Sequence, residues 1–327
     1  MIRHLARRFV NYFILTSIAT IFAYVACSSF MDPARRYEGK NPPIPQEAVD
    51  GILNEMGINP KVPVLVRTWN WLVRIVTQGS FNKDFSGVEV TSQIALKAGI
   101  SLRLLVTGAV LAAVVGVALG VWGAVRQYKL SDQLITYTSY VLISTPTFVS
   151  GVLLMIGATW LNTNVFGRQV LRFTGQYTPG IEGFWPQLAD RANHLLLPTI
   201  ALMLLQSASY SRYQRAIMLD VLGSDYIRTA RAKGATRTRA LVKHGVRVAL
   251  IPMSTYFAYT FGTLLGGATF LELVFSWKGM GQYAIDSVSQ RDINGAVGAV
   301  AFAAVLVLFS SMLAEFLYAA LDPRVRV

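Results

Sequence analysis

Two sets of side chains in this chain of 327 residues carry usable chemistry, and neither has the make-up of a catalytic centre. One set is cationic. From Arg212 to Arg247, nine Lys and Arg residues stand against two acids, Asp220 and Asp225. Among them runs the segment Asp225-Tyr226-Ile227-Arg228-Thr229-Ala230-Arg231-Ala232-Lys233-Gly234. Such a segment can pair with acids or settle on an anionic surface. The other set is neutral and sits inside apolar runs: Tyr137, Tyr140, Ser144 and Thr145, then Gln206 and Ser207, then Tyr256, Tyr259 and Thr263. In lipid each of these groups must find a protein partner or border water. Hydrogen bonds inside a helix bundle would satisfy them, and so would a solute pathway. Thr145, Gln206 and Tyr259 lie well inside their runs and are the residues expected to border such a pathway.

No covalent chemistry is expected of the chain. It holds no Gly-x-x-x-x-Gly-Lys-Ser/Thr phosphate loop, no His-Glu-x-x-His and no Gly-x-Ser-x-Gly. His4, His194 and His244 lack ligand spacing and Cys27 is the only cysteine, so neither a metal site nor an internal disulfide is expected. Glu272 and Glu315 fall at the ends of apolar runs, which leaves no ionisable relay for a proton-coupled carrier. Energy for any transport would then come from outside the chain.

The elements that position these residues are membrane spans. Hydrophobic residues make up 53% and charged residues 14%, which fits a multi-pass membrane protein. Six runs approach the ~20 residues that cross a bilayer. They are Phe9–Phe30, Leu104–Val125, Leu134–Trp160, Leu195–Ser211, Val248–Leu271 and Ile293–Ala314. An even count puts both termini on one side. Arg3, Arg7, Arg8, Arg126, Lys129, the nine basic residues of 212–247, Arg324 and Arg326 gather on one face, so both termini and that loop are expected to be cytoplasmic. The net charge of +13 is thereby assigned to orientation and anionic lipid, with no nucleic-acid partner. The predicted fold is an all-α polytopic membrane protein with six transmembrane helices. It divides into 1–30 (cytoplasmic N-terminus and first span), 31–100 (a long extracytoplasmic segment) and 101–327 (a five-span core with the loop 212–247).

The basic loop reads as structured. Ser224 suits a helix N-cap, Asp225 the first turn, Arg231 and Lys233 the last, and Gly234 the left-handed position that follows. Ile227, Ala230 and Gly234 would share one face at i, i+3 and i+7, where two small residues admit a close partner, with Arg228 and Arg231 beside it. The alternative is a helix lying on anionic lipid. In 31–100, Asn41-Pro42-Pro43-Ile44-Pro45 predicts an extended entry. Gln46–Met56 and Val64–Val76 predict short amphipathic helices, with Trp69, Trp71 and Leu72 at headgroup level. Gly116 with Gly120, and Gly262 with Gly266, have the spacing of close helix packing. Met1–Cys27 has an Arg-rich start and an apolar core, as a secretory signal would. The core is long and Tyr24 is bulky near the Ala26-Cys27 junction, so a retained span is expected.

Asp225 to Gly234, followed by Lys243-His244-Gly245-Val246-Arg247-Val248-Ala249-Leu250-Ile251-Pro252, resembles the coupling-loop signature of ABC-importer permeases. The resemblance is to the first permease subunit of the oligopeptide, dipeptide and nickel type. Ser144-Thr145-Pro146-Thr147-Phe148-Val149-Ser150-Gly151, His194-Leu195-Leu196-Leu197-Pro198-Thr199, Phe275-Ser276-Trp277-Lys278-Gly279-Met280-Gly281 and Asp322-Pro323-Arg324-Val325-Arg326 are similar to the same family. Three departures stand out. Arg228-Thr229 replaces the Glu-Ala frequent in the wider superfamily, Lys278 stands where proline is common, and Met31-Asp32-Pro33 lacks the usual glycine before the acid.

The resemblance implies a permease subunit of an ATP-driven importer for short peptides, forming half of the translocation pathway in a bacterial cytoplasmic (inner) membrane. It implies as partners a second homologous permease, two ATPase subunits or domains that bind the ATP and Mg, and an extracytoplasmic solute-binding protein. This chain itself would hold no cofactor. Tyr226, Ile227, Arg228, Ala230, Arg231 and Gly234 would form the cytoplasmic coupling helix between the fourth and fifth spans. Glu272, Trp277 and Lys278, at the outer mouth, are expected to meet the binding protein. A self-sufficient secondary carrier or channel is the alternative, and the missing intramembrane charges argue against it.

Overall fold

Backbone groups in lipid find no partner outside their own segment, so long apolar runs fold as helices. The computed structural model describes residues 2–321, with only the backbone described at 2–5, 237, 238, 243, 244 and 321. The expected cationic positions Arg324 and Arg326, with the rest of Asp322 to Arg326, lie outside the described residues, as do the side chains of Arg3, Lys243 and His244. The described residues form twelve α-helices and no named strand. In chain order these are α1 (Ile2–Phe30), α2 (Gln46–Glu55), α3 (Val64–Gln78), α4 (Val90–Val125), α5 (Leu130–Ser144) and α6 (Thr147–Trp160). Then follow α7 (Phe184–Leu222), α8 (Asp225–Ala232), α9 (Arg237–Ala240), α10 (Arg247–Val274), α11 (Met280–Ser289) and α12 (Ile293–Leu321). A π-helical turn, Leu241–Val246, joins α9 to α10.

Five stretches are long and apolar enough to cross a membrane: Ala6–Phe30, Val90–Val125, Thr147–Val165, Arg247–Val274 and Ile293–Ala320. The all-helical expectation holds, but three expected boundaries change. Leu134–Trp160 is not one helix. α5 ends at Ser144, Thr145 is extended (φ −89°, ψ 124°), and α6 starts after Pro146. The proline ring pushes its predecessor out of the helical region, and Pro146 has no N–H to continue the ladder. Leu195–Ser211 is the middle of the 39-residue α7, whose polar residues keep it out of the five. Because α7 runs on to Leu222, Arg212 and Arg215 are helical, and only Gly223 and Ser224 separate α7 from α8.

The chain clusters into two compact units. One comprises Ile2–Leu102 and Lys278–Phe309. Its core stacks Tyr24 of α1 on Trp71 of α3, with ring centroids 4.5 Å apart, and adds Val49, Leu53, Ile58, Ile293 and Val297. Trp71 is thus a core residue and not a headgroup anchor, while Trp69 is 67% exposed. Buried Asn294 donates to Met56 O (3.0 Å) and Lys83 O (2.9 Å). Asp292 accepts from Gly295 N–H (2.9 Å) at the start of α12 and from Phe85 N–H (3.0 Å). These bonds pin the non-helical stretches of the unit to its helices.

The other unit comprises Arg103–Trp277 and the chain from Ser310 onward. Within it α7 packs on α5, α6 and α10. α4 also meets α7 at backbone distance: a Cβ on Gly116 would stand 2.8 Å from Ser207 O, and one on Gly120 2.6 Å from Ser211 O. No larger residue fits that seam. The expected pair at Gly116 and Gly120 holds, whereas a Cβ on Gly266 would meet nothing within 4 Å, so no such close approach occurs at that position.

Candidate coupling and translocation site

Eight residues do not hold a helix in water by themselves, so α8 depends on its ends and its anchor. Ser224 occupies the N-cap position in an extended conformation, but its hydroxyl donates back to Val221 O (2.6 Å) and caps nothing. The expected side-chain cap therefore gives way to the last turn of α7. The other end closes as the glycine predicts. Gly234 has φ +88°, its N–H donates to Arg231 O (3.0 Å), and Ala235 N–H donates to Ala230 O (3.2 Å). Those are the two bonds of a Schellman closure, with Lys233 as the C-cap just beyond the last turn.

Ile227 is the anchor. It is buried in an apolar cluster with Ala124 of α4, Met218 and Val221 of α7, Leu241, and Ala249 of α10. Full burial of such a side chain is worth about 1.5–3 kcal/mol. This corrects the expected docking face: Ile227 faces its own bundle and Ala230 is half-buried, leaving Tyr226, Arg228, Arg231 and Gly234 exposed. The surface α8 presents is aromatic and cationic. The Arg228–Asp225 pair (3.6 Å) is largely in solvent and contributes little.

The same end of α7 is stapled to α5. The Asp132 carboxylate accepts from Arg215 Nε (2.6 Å), Arg215 Nη2 (2.7 Å) and Tyr128 N–H (2.9 Å). The guanidinium beside it holds the Asp132 carboxyl below the usual carboxylate range. Sequence reasoning misses this pair because its members lie 83 residues apart and neither belongs to a local motif.

The three pathway residues sit on neighbouring elements but are not equally placed. Thr145 is half-buried at the α5–α6 break, and its hydroxyl donates to Val141 O (2.8 Å). Gln206 on α7 is half-buried within reach of the Tyr210 hydroxyl, and Tyr259 on α10 is 54% exposed. Tyr210 and Thr260, which nothing in the sequence sets apart, tie α7 to α10 through a 2.6 Å bond between their hydroxyls. An apolar trough of about 820 Å³ runs along α4 past Val242 and Leu250, and none of the three pathway residues lines it.

The expected binding-protein contacts are corrected in part. Glu272 and Trp277 are 0% and 3% exposed, so neither offers a surface, whereas Lys278 is exposed. Trp277 N–H donates to Glu272 O (2.7 Å) and Gly175 N–H to Phe275 O (2.8 Å), which folds the end of α10 under the segment before α7. Asp190 ties that segment down. It accepts from Thr178 N–H (2.7 Å), Thr178 Oγ1 (2.9 Å) and Arg172, with His194 Nε2 at 3.6 Å. Burial pushes the Asp190 carboxyl up, but the bonds from Thr178 and Arg172 outweigh it and hold the group below its ordinary range. Among the described residues no group of three or more His, Cys, Asp or Glu is placed to hold a metal ion.

A self-closed helix anchored in a cluster shared with three long helices, with neutral polar groups along the bundle, suits a transport protein. Residues 116–327, which contain all of it from the α4–α7 seam onward, match the family described as binding-protein-dependent transport system inner membrane component. The chain belongs to that family. The permease has relatives that match most or all of its length. The oligopeptide transport system permease protein OppB of Mycobacterium tuberculosis is 44% identical over 328 residues, covering 100% of both chains. The oligopeptide permease AppB of Bacillus subtilis is 34% identical over 289 residues, 87% of each chain. The glutathione transport permease GsiC of Escherichia coli is 31% identical over 316 residues, 96% of this permease and 94% of that one. The implied ABC-importer permease subunit is borne out, as is a multi-pass membrane protein.

Proposed function

We propose that the chain is one of two homologous permease subunits that together line the path of an ATP-driven peptide importer. The observation that carries this reading is α8: exposed and cationic outside, and anchored inside by Ile227 in an apolar cluster that also takes residues from α4, α7 and α10. A push on α8 from a partner ATPase would be passed through that shared cluster, which suits a two-state rocking of the bundle between outward and inward openings. ATP and Mg belong to the partner subunits, and an extracytoplasmic binding protein delivers the cargo near Lys278. The peptide cargo is supported by relatives named for oligopeptides and glutathione.

α7 serves as the sixth span. Its 39 residues exceed the ~20 needed, and 192–211 hold no Lys, Arg, Asp or Glu. Six spans put both termini on the side of the basic residues, the cytoplasm. Thr145, Gln206 and Tyr259 border the path as neutral donors and acceptors suited to a peptide backbone. The test uses proteoliposomes holding the assembled importer. Labelled peptide should accumulate with ATP and continue to do so with an uncoupler present. Cysteines at 145, 206 and 259 in a Cys27→Ser background should react with a water-soluble thiol reagent at nucleotide-dependent rates. Uptake that collapses with the proton gradient would favour a secondary carrier, and uniform unreactivity would move the path elsewhere.

A further inference from the structure

The unit built on Ile2–Leu102 and Lys278–Phe309 contains a buried cation that no acid among the described residues pairs with. Arg67 of α3 is 4% exposed. Its guanidinium donates to Ile58 O (3.2 Å) and Ser28 O (3.1 Å), and its Nε has no partner. Trp71, one turn on, stacks on Tyr24 and leaves its indole N–H without a partner. Arg74, on the same face of α3, is half-buried, and among the described residues neither arginine is in an ion pair. All three side chains line one polar cavity of about 220 Å³, together with Asn70 and Asn294, and no Asp or Glu lines it.

Burying a guanidinium with only two carbonyls for its five donors is unfavourable unless a counter-charge arrives. Two guanidinium groups on one wall match the several oxygens of a phosphate better than any neutral solute. The location fits as well. Tyr24 and Ser28 belong to the last two turns of α1, where exposed apolar side chains such as Phe22 (72%) and Phe30 (90%) end. Lipid phosphates lie at the level where an apolar span stops.

We propose that this cavity binds a phosphate group, free or in a phospholipid headgroup, between Arg67 and Arg74. The test uses the full-length chain purified in detergent and phosphate-free buffer, with Arg74→Gln as the main variant because Arg74 makes no bond that the fold uses. Inorganic phosphate should raise the melting midpoint of the delipidated wild type saturably, and native mass spectrometry before delipidation should count one more retained phospholipid than in the variant. Either result supports the site, the first from a free phosphate and the second from a lipid. Arg74→Gln should weaken the effect at least tenfold, and Arg67→Gln, if it folds, should abolish it. A cavity holding water only would show no saturable phosphate effect and equal lipid counts. That outcome, or binding unchanged in Arg74→Gln, overturns the proposal.

Discussion

α8 and α3 are both short amphipathic helices, yet they are mounted in opposite senses. α8 buries Ile227 and turns Tyr226, Arg228 and Arg231 outward. α3 buries Arg67, Thr68 and Trp71 and turns out Leu65, Trp69, Val73 and Val76, exposed by 81, 67, 41 and 83%. A helix with its charges outside is solvated by water or gripped by a charged partner. One with arginine inside and an apolar stripe outside has the order of a lipid-facing protein, a polar interior in an apolar exterior. Amphipathicity creates two faces, and only the surroundings decide which is turned in.

The largest effect expected of this contrast is within α3 itself. Trp71→Ala should cost about 3–5 kcal/mol through the lost Tyr24 stack and the cavity left behind, read as a fall in the melting midpoint of the purified protein. Trp69→Ala, two residues away, should stay within about 0.5 kcal/mol in detergent. Equal effects would mean that α3 is not mounted as described. For α8, Ile227→Ala should cost about 2 kcal/mol or more and cut peptide uptake by at least tenfold. Arg228→Ala, at an exposed site, should leave stability unchanged while lowering uptake. A smaller loss is expected from Gly234→Val, about 1–2 kcal/mol for a branched residue at φ +88°. Gly234→Asn should restore uptake, since asparagine tolerates that conformation.

The smallest effect concerns the ends of α7. Asp132 and Asp190 both have carboxyl groups held below their ordinary range. A depressed folded value means that the stabilisation is fully present above the unfolded value of about 3.9 and is lost as pH falls through the folded one. The melting midpoint should therefore be flat from neutral pH to about pH 5 and fall below about pH 4. Asp190→Asn should lower the plateau and flatten part of that fall. A midpoint that drops between pH 7 and 5 would point to some other group.

What could be read in the sequence was local. Gly234 announces its left-handed turn because only the adjoining residues decide it, and the Gly116–Gly120 seam follows from spacing on one helix. α2 and α3 are legible as helices from their periodicity. The orientation of α3 is not, because Arg67 is turned inward by Ser28 and Ile58, which come from other elements. Pro146 is visible, but a bend and a full break differ only in how the neighbours receive the freed backbone. Glu272 and Trp277 look exposed on a linear map because the segment that covers the end of α10 precedes them by about a hundred residues, Gly175 to Phe275.

The central claim, that the outward face of α8 is where the motor grips the permease, is tested most directly by crosslinking in the assembled importer. Tyr226→Cys and, for comparison, Trp69→Cys are placed singly in a Cys27→Ser background and treated with a short thiol-to-amine crosslinker, with and without ATP. Position 226 should capture an ATPase subunit in a yield that changes with nucleotide, and position 69 should capture none. No ATPase adduct at 226, or equal yields at the two positions, would contradict the account.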